Sequence, residues 1–253
     1  MPEPRRSDAD QDRGEGNSGE RREEARPRDD GQDTGDARAK TGRPEQARQG
    51  LEPLSGARLL VFDRTCPRLS IAWRAGARLY RARGRIDAAC GVGSWEGGLG
   101  WLAGWHAPIA EIQYWGHGHW GSALVDRDDV LDASALSPGH ALHAALEAVR
   151  ERLAPDALIW FRTCETFGAT AGHDFAMRLA DWTGARVAGH THVIGFHQSG
   201  LHGLAPGARP SWSASEGLAR GTSDAPQRAK TSWPWSPHTI TCLDGTVPDA
   251  WFA

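Results

Sequence analysis

The chain has 253 residues, with 29 Lys and Arg against 32 Asp and Glu and a formal net charge of −3. That balance leaves no electrostatic footprint for DNA or RNA, and no apolar run approaches the roughly 18 residues of a transmembrane helix, so neither nucleic acid nor membrane is an expected partner. The N-terminus lacks the apolar stretch of a signal peptide, which makes the cytoplasm the expected location. Residues 1–52 differ from the rest: Met1 to Gly50 contains no aromatic residue and almost no aliphatic one, with acidic and basic residues interspersed. Such a segment cannot bury enough surface to offset chain entropy, and its composition predicts a disordered charged tail. Residues 53–253 suffice for one α/β domain with a Trp-rich C-terminal segment.

In chain order, Ala57 to Phe62 reads as a first strand ending at Asp63, Cys66 to Ala75 as a short helix and Ala77 to Arg81 as a second strand. Ser94 to Trp105 places Trp95, Leu99, Leu102 and Trp105 at helical spacing, although four glycines make it a poor helix former. Ile109 to Trp115 is a short, apolar, β-prone run. Leu142, Leu146, Val149 and Leu153 predict an amphipathic helix over Gly139 to Leu153. A second buried strand follows at Ala157 to Phe161, then a helix over Ala171 to Trp182 and a strand from Arg186 to Gly189. Strands alternating with helices predict a three-layer sandwich, with a mainly parallel sheet and helices on both faces. After Gly200 the pattern weakens. Ser211 to Ser215 and Pro237 to Leu243 read as edge strands, Arg220 to Pro234 as a loop, and Trp233 to Trp235 and Trp251-Phe252 as segments packed back on the domain.

Two segments carry the most specific chemistry. Gly116-His117-Gly118-His119-Trp120-Gly121 follows the Ile109 strand, and Arg162-Thr163-Cys164-Glu165 follows the Ala157 strand. Parallel strands direct the residues after their carboxyl ends into one crevice, so His117 and Cys164 are expected to share it. A thiol with an ordinary pKa of about 8.5 needs an adjacent imidazole to become a competent nucleophile at neutral pH. The backbone N–H groups of Gly118 and Cys164 are candidate oxyanion donors. His119 is the competing histidine.

These motifs resemble the caspase, gingipain and legumain superfamily of cysteine peptidases, in which the histidine precedes the cysteine by about 50 residues. The likeness is closer to a bacterial caspase-like branch of that fold and covers roughly residues 57–220. It rests on Gly116 to Gly121, Cys164, Gly172-His173-Asp174-Phe175-Ala176, Thr183-Gly184-Ala185-Arg186-Val187-Ala188 and Ile194-Gly195. The resemblance implies a caspase-like sandwich, a peptide or protein substrate, and a dyad of His117 and Cys164 with no cofactor and no metal. Caspases proper carry Gln-Ala-Cys-x-Gly where this chain has Arg162-Thr163-Cys164-Glu165-Thr166, so their specificity does not carry over. A glutamate turned toward the thiol would raise its pKa.

Asp63 and Arg64 end the first strand on the same edge and are candidates for a specificity pocket, Asp63 for a basic side chain and Arg64 for an acidic one. His119, Glu165, His190 and His192 are further candidates for the cleft lining. Two other readings stay open: a caspase-like module that binds a peptide or protein without cleaving it, and a zinc-dependent hydrolase built on His117, His119, His190, His192, His197, His202 and Cys164. The four cysteines, Cys66, Cys90, Cys164 and Cys242, form no CxxC pair and imply neither a disulfide framework nor a zinc ribbon. The sequence leaves the oligomeric state open.

Overall fold

The computed structural model describes residues 56–252; the tail assigned to residues 1–52 lies outside the described residues. The elements run β1 (Ala57–Asp63), α1 (Leu69–Ala82), β2 (Ala88–Val92), α2 (Trp95–Ala103), β3 (Ile109–Trp115), β4 (His117–His119), β5 (Ser122–Val125) and β6 (Asp129–Asp132). Next come α3 (His143–Arg150), β7 (Leu153–Arg162), α4 (Ala169–Thr183), β8 (Arg186–His190), β9 (His197–Gln198) and β10 (Leu201–Leu204). β11 (Leu218–Gly221), β12 (Pro226–Ala229) and β13 (Ile240–Thr241) follow, and short 3-10 turns lie at Ala133–Leu136 and Asp249–Trp251. The protein is mixed α/β, with a six-stranded sheet in the order β10-β8-β7-β3-β1-β2. Every neighbouring pair in it is parallel except β10 with β8.

Strand side chains alternate between the two faces, and the core divides accordingly. Leu59, Val61, Ile112, Tyr114, Ile159, Phe161 and Val187 point to the face that packs against apolar residues of α2, α3 and α4. On the opposite face, Leu60, Phe62 and Trp115 meet Ala77 and Tyr80 of α1. Beyond them, Leu158, Trp160, Ala188 and Leu201 meet Ile240, Val247 and the partly buried Trp251 and Phe252. The expectation that Trp251-Phe252 packs back is met.

Several elements differ from expectation for identifiable reasons. Ala77 to Arg81 is not a strand but the second half of α1, because Ser70, Ala77 and Tyr80 fall on one helical face and are buried together. The second strand is instead Ala88-Ala89-Cys90-Gly91-Val92, whose small residues give almost no β signal. Gly91 is required there: a Cβ would lie 2.7 Å from the Phe62 ring. α2 forms despite its glycines, with Ser94 Oγ accepting from the Gly97 N–H at 3.1 Å as an N-cap. Ser211 to Ser215 holds no strand, and Arg220 to Pro234 contributes to the β11-β12 hairpin rather than a plain loop. Trp233 and Trp235 do not pack back. They are 62% and 80% exposed, with their rings 5.9 Å apart against each other.

Candidate active site

β3 and β7 run side by side, and their last paired residues are Trp115 and Arg162. His117 and Cys164 each lie two residues beyond that pair, so the parallel register carries both to the same end of the sheet. Both line one cavity of about 420 Å³. Trp73 and Leu79 of α1 form one wall, and Ile194, Phe196 and Leu243 form another.

The local folding of each motif explains its composition. After Trp115 the chain turns up into a hairpin in which His117, Gly118 and His119 pair with Leu124, Ala123 and Ser122. This hairpin leans on the Cys164 turn so closely that a Cβ on Gly118 would come within 2.6 Å of the Cys164 carbonyl oxygen and 2.7 Å of Thr163 Cβ. Only glycine allows that approach. Thr163 and Thr166 bridge the turn by a 2.5 Å hydroxyl contact, and Thr166 Oγ1 donates to the Ser122 carbonyl at 3.2 Å. Glu165 adopts a φ of 46°, the left-handed region, which lets its N–H reach the His192 carbonyl at 3.0 Å.

Cys164 is partly buried, and its Sγ accepts a hydrogen bond from the Ile194 N–H at 3.4 Å. Burial raises the thiol pKa above its ordinary value, the Ile194 contact opposes this, and the Glu165 carboxylate adds to the rise. Burial thus favours the neutral thiol over the thiolate. The Cys164 N–H donates to no acceptor among the described residues. His117 is exposed, with its ring edge-on to Trp73 at 5.7 Å between centroids. The His119 Nδ1 lies 2.9 Å from Glu165 Oε1.

Of the expected residues, His117 and Cys164 line the cavity; Gly118 packs against the Cys164 turn without lining it, and the others do not reach the cavity. Asp63 is fully buried; its Oδ1 accepts from the Thr65 N–H at 2.6 Å and from the Thr65 hydroxyl at 2.7 Å. It caps the turn after β1 and is not among the residues that line the cavity. Arg64 lies over Gly93 instead of reaching the cavity. His190 and His192 do not line the cleft either. His190 is fully buried, with Nδ1 against the Ser199 carbonyl at 3.1 Å, and His192 Nδ1 contacts Thr191 Oγ1 at 2.9 Å. His119 and Glu165 engage each other and do not line the cavity. Among the described residues, no group of three or more His, Cys, Asp or Glu is placed to hold a metal ion. All four cysteines are free. No helix among the described residues is long and apolar enough to cross a membrane.

Sequence reasoning missed Trp73, Arg162, Gln198 and Cys242, which also line the cavity. Arg162 alone left a readable signal, a charged residue at the end of an apolar strand run. Comparison of the chain with protein-family models, curated proteins and solved structures finds no match.

Proposed function

We propose that this protein is a cysteine-dependent peptide-bond hydrolase of the caspase-like kind. The observation that carries the reading is that His117 and Cys164, each two residues past the Trp115–Arg162 pair, line the same cavity. The mainly parallel sheet with helices on both faces is the architecture the sequence resemblance implies. A cytoplasmic location and a peptide or protein substrate belong to the same proposal.

In this reading the Cys164 proton passes to the His117 ring as Sγ attacks the substrate carbonyl carbon. The carbonyl π pair moves onto oxygen, where the Cys164 and Gly118 N–H groups donate to it. Collapse of the tetrahedral species breaks the C–N bond, and the amine leaves with the proton from His117. Water then hydrolyses the thioester and restores the thiol. The raised Cys164 pKa makes this proton transfer part of the reaction rather than a resting ion pair.

One observation favours a second reading, a peptide-binding module that does not cleave. The Cys164 sulfur is held by Ile194 rather than by His117, an arrangement equally suited to an inert thiol. Incubating a peptide library with wild type, Cys164→Ala and His117→Ala and sequencing the products separates the two. The peptidase reading expects cleavage by wild type alone. Cleavage that survives Cys164→Ala, or no cleavage by any of the three, removes it.

A further inference from the structure

The cavity beside Cys164 has a chemistry of its own. Trp73, Leu79, Tyr80, Trp115, Phe196 and Leu243 are among the residues that line it. Leu79, Phe196 and Leu243 are also among the few large apolar side chains left exposed, at 36%, 57% and 41%. Exposed apolar surface gathered around one concavity marks a binding site more than scattered exposed residues do. The volume of about 420 Å³ falls within the range of roughly 300–1,000 Å³ found for ligand sites.

The charged group in the wall, Arg162, is already engaged. Its Nε–H and one Nη2–H donate to Gln198 Oε1 at 3.0 and 2.6 Å, and the other Nη2–H donates to the Thr241 carbonyl at 3.3 Å. Its Nη1 donates to the Asp244 carbonyl at 2.9 Å and to the Tyr80 hydroxyl. Arginine has five N–H donors, and these contacts use all five. The guanidinium lies against the Trp160 ring at 4.4 Å and the Trp115 ring at 5.4 Å. An incoming carboxylate would lose its water without gaining a free donor from Arg162, and an incoming ammonium or guanidinium would meet a cation and no lining carboxylate.

We infer that this cavity is a subsite for a large apolar, preferably aromatic, side chain, and that an acidic or basic side chain is disfavoured there. The inference rests on the peptidase reading only for its consequence: the residue flanking the bond that Cys164 attacks would be of that kind. Burying such a side chain removes apolar surface from water, which is the source of the selectivity.

The test uses the full chain carrying Cys164→Ala, so that nothing is turned over, and three probes, acetyl-Ala-Ala-Xaa-amide with Xaa as Phe, Asp or Arg. Binding is read by titration calorimetry. The Phe peptide is expected to bind about tenfold tighter than either of the others. Adding Ala72→Asp, at an exposed position of α1 that lines the cavity, should weaken the Phe peptide and strengthen the Arg peptide. Tightest binding of the Asp peptide, or no binding of any probe, overturns the inference. Phe selectivity in a wild type that cleaves nothing would support the subsite and refute the peptidase, so the two failures are distinct.

Discussion

His119 Nδ1 and Glu165 Oε1 lie 2.9 Å apart, a contact that ties the hairpin carrying His117 to the turn carrying Cys164. Glu165 itself sits in a left-handed backbone conformation that costs a residue with a Cβ roughly 1–2 kcal/mol, and its N–H and carbonyl are both engaged, with the His192 carbonyl and the Gly168 N–H. The tie also keeps a carboxylate next to a thiol whose pKa burial already raises.

Glu165→Gln keeps a side-chain acceptor for His119 and removes the charge. The Cys164 pKa is expected to fall, and its alkylation by iodoacetamide at pH 7 to speed up by a factor of a few. A slower or unchanged rate would show that the Glu165 charge is not felt at the sulfur.

Gly118→Ala forces a methyl group to within 2.6 Å of the Cys164 carbonyl oxygen, which belongs to backbone and cannot simply swing aside. Overpacking of this kind costs about 1–3 kcal/mol. The expected outcome is a lower urea midpoint together with loss of any His117-dependent activity, since the hairpin must move off the Cys164 turn. Unchanged stability and activity would mean that the close approach is dispensable.

Acidification should destabilise the fold. Burial pulls the His190 pKa from 6.5 down to about 3, with Arg162 adding to the shift, and its Nε2 has no partner among the described residues. Burial also lowers the values of His173, His192 and His238. Between pH 6.5 and 3 the unfolded chain binds a proton at His190 that the native state refuses, so stability falls by about 1.4 kcal/mol per pH unit from this group alone. Glu111 acts oppositely: burial raises its pKa above 4.5, so it favours the native state more as pH drops. Four histidines outweigh that one carboxyl, and the urea midpoint should decrease from pH 7 to pH 5, less so in His190→Gln. A flat profile in wild type would contradict the assignment of these histidines as neutral.

Much of the site was legible because it sits where apolar strand runs stop. Ile109 to Trp115 and Ala157 to Phe161 are recognisable from residue type alone, and parallel pairing then places His117 and Cys164 together. The walls of the cavity were not legible. Trp73 and Leu79 lie on a helix whose second half, read as Ala77 to Arg81, alternates enough to resemble a strand. Phe196 and Leu243 belong to the β9 and β13 region, where strands are two residues long and carry no periodicity. Asp63 and Arg64 do stand at the end of β1, but whether a strand-end carboxylate faces substrate or its own turn depends on a neighbour such as Thr65, whose hydrogen bonds only the fold reveals.

The most direct test of the central claim is covalent labelling by a peptidyl chloromethyl ketone with Phe at its reactive end, mapped by mass spectrometry of proteolytic fragments. Cys164 shares its cavity with Cys242, while Cys66 and Cys90 lie elsewhere, so the protein carries its own controls. A dyad requires rapid, stoichiometric modification of Cys164 that His117→Ala suppresses, with the other three cysteines unmodified. Labelling of Cys242 in its place, or equal and slow labelling of all four thiols regardless of His117, would contradict it.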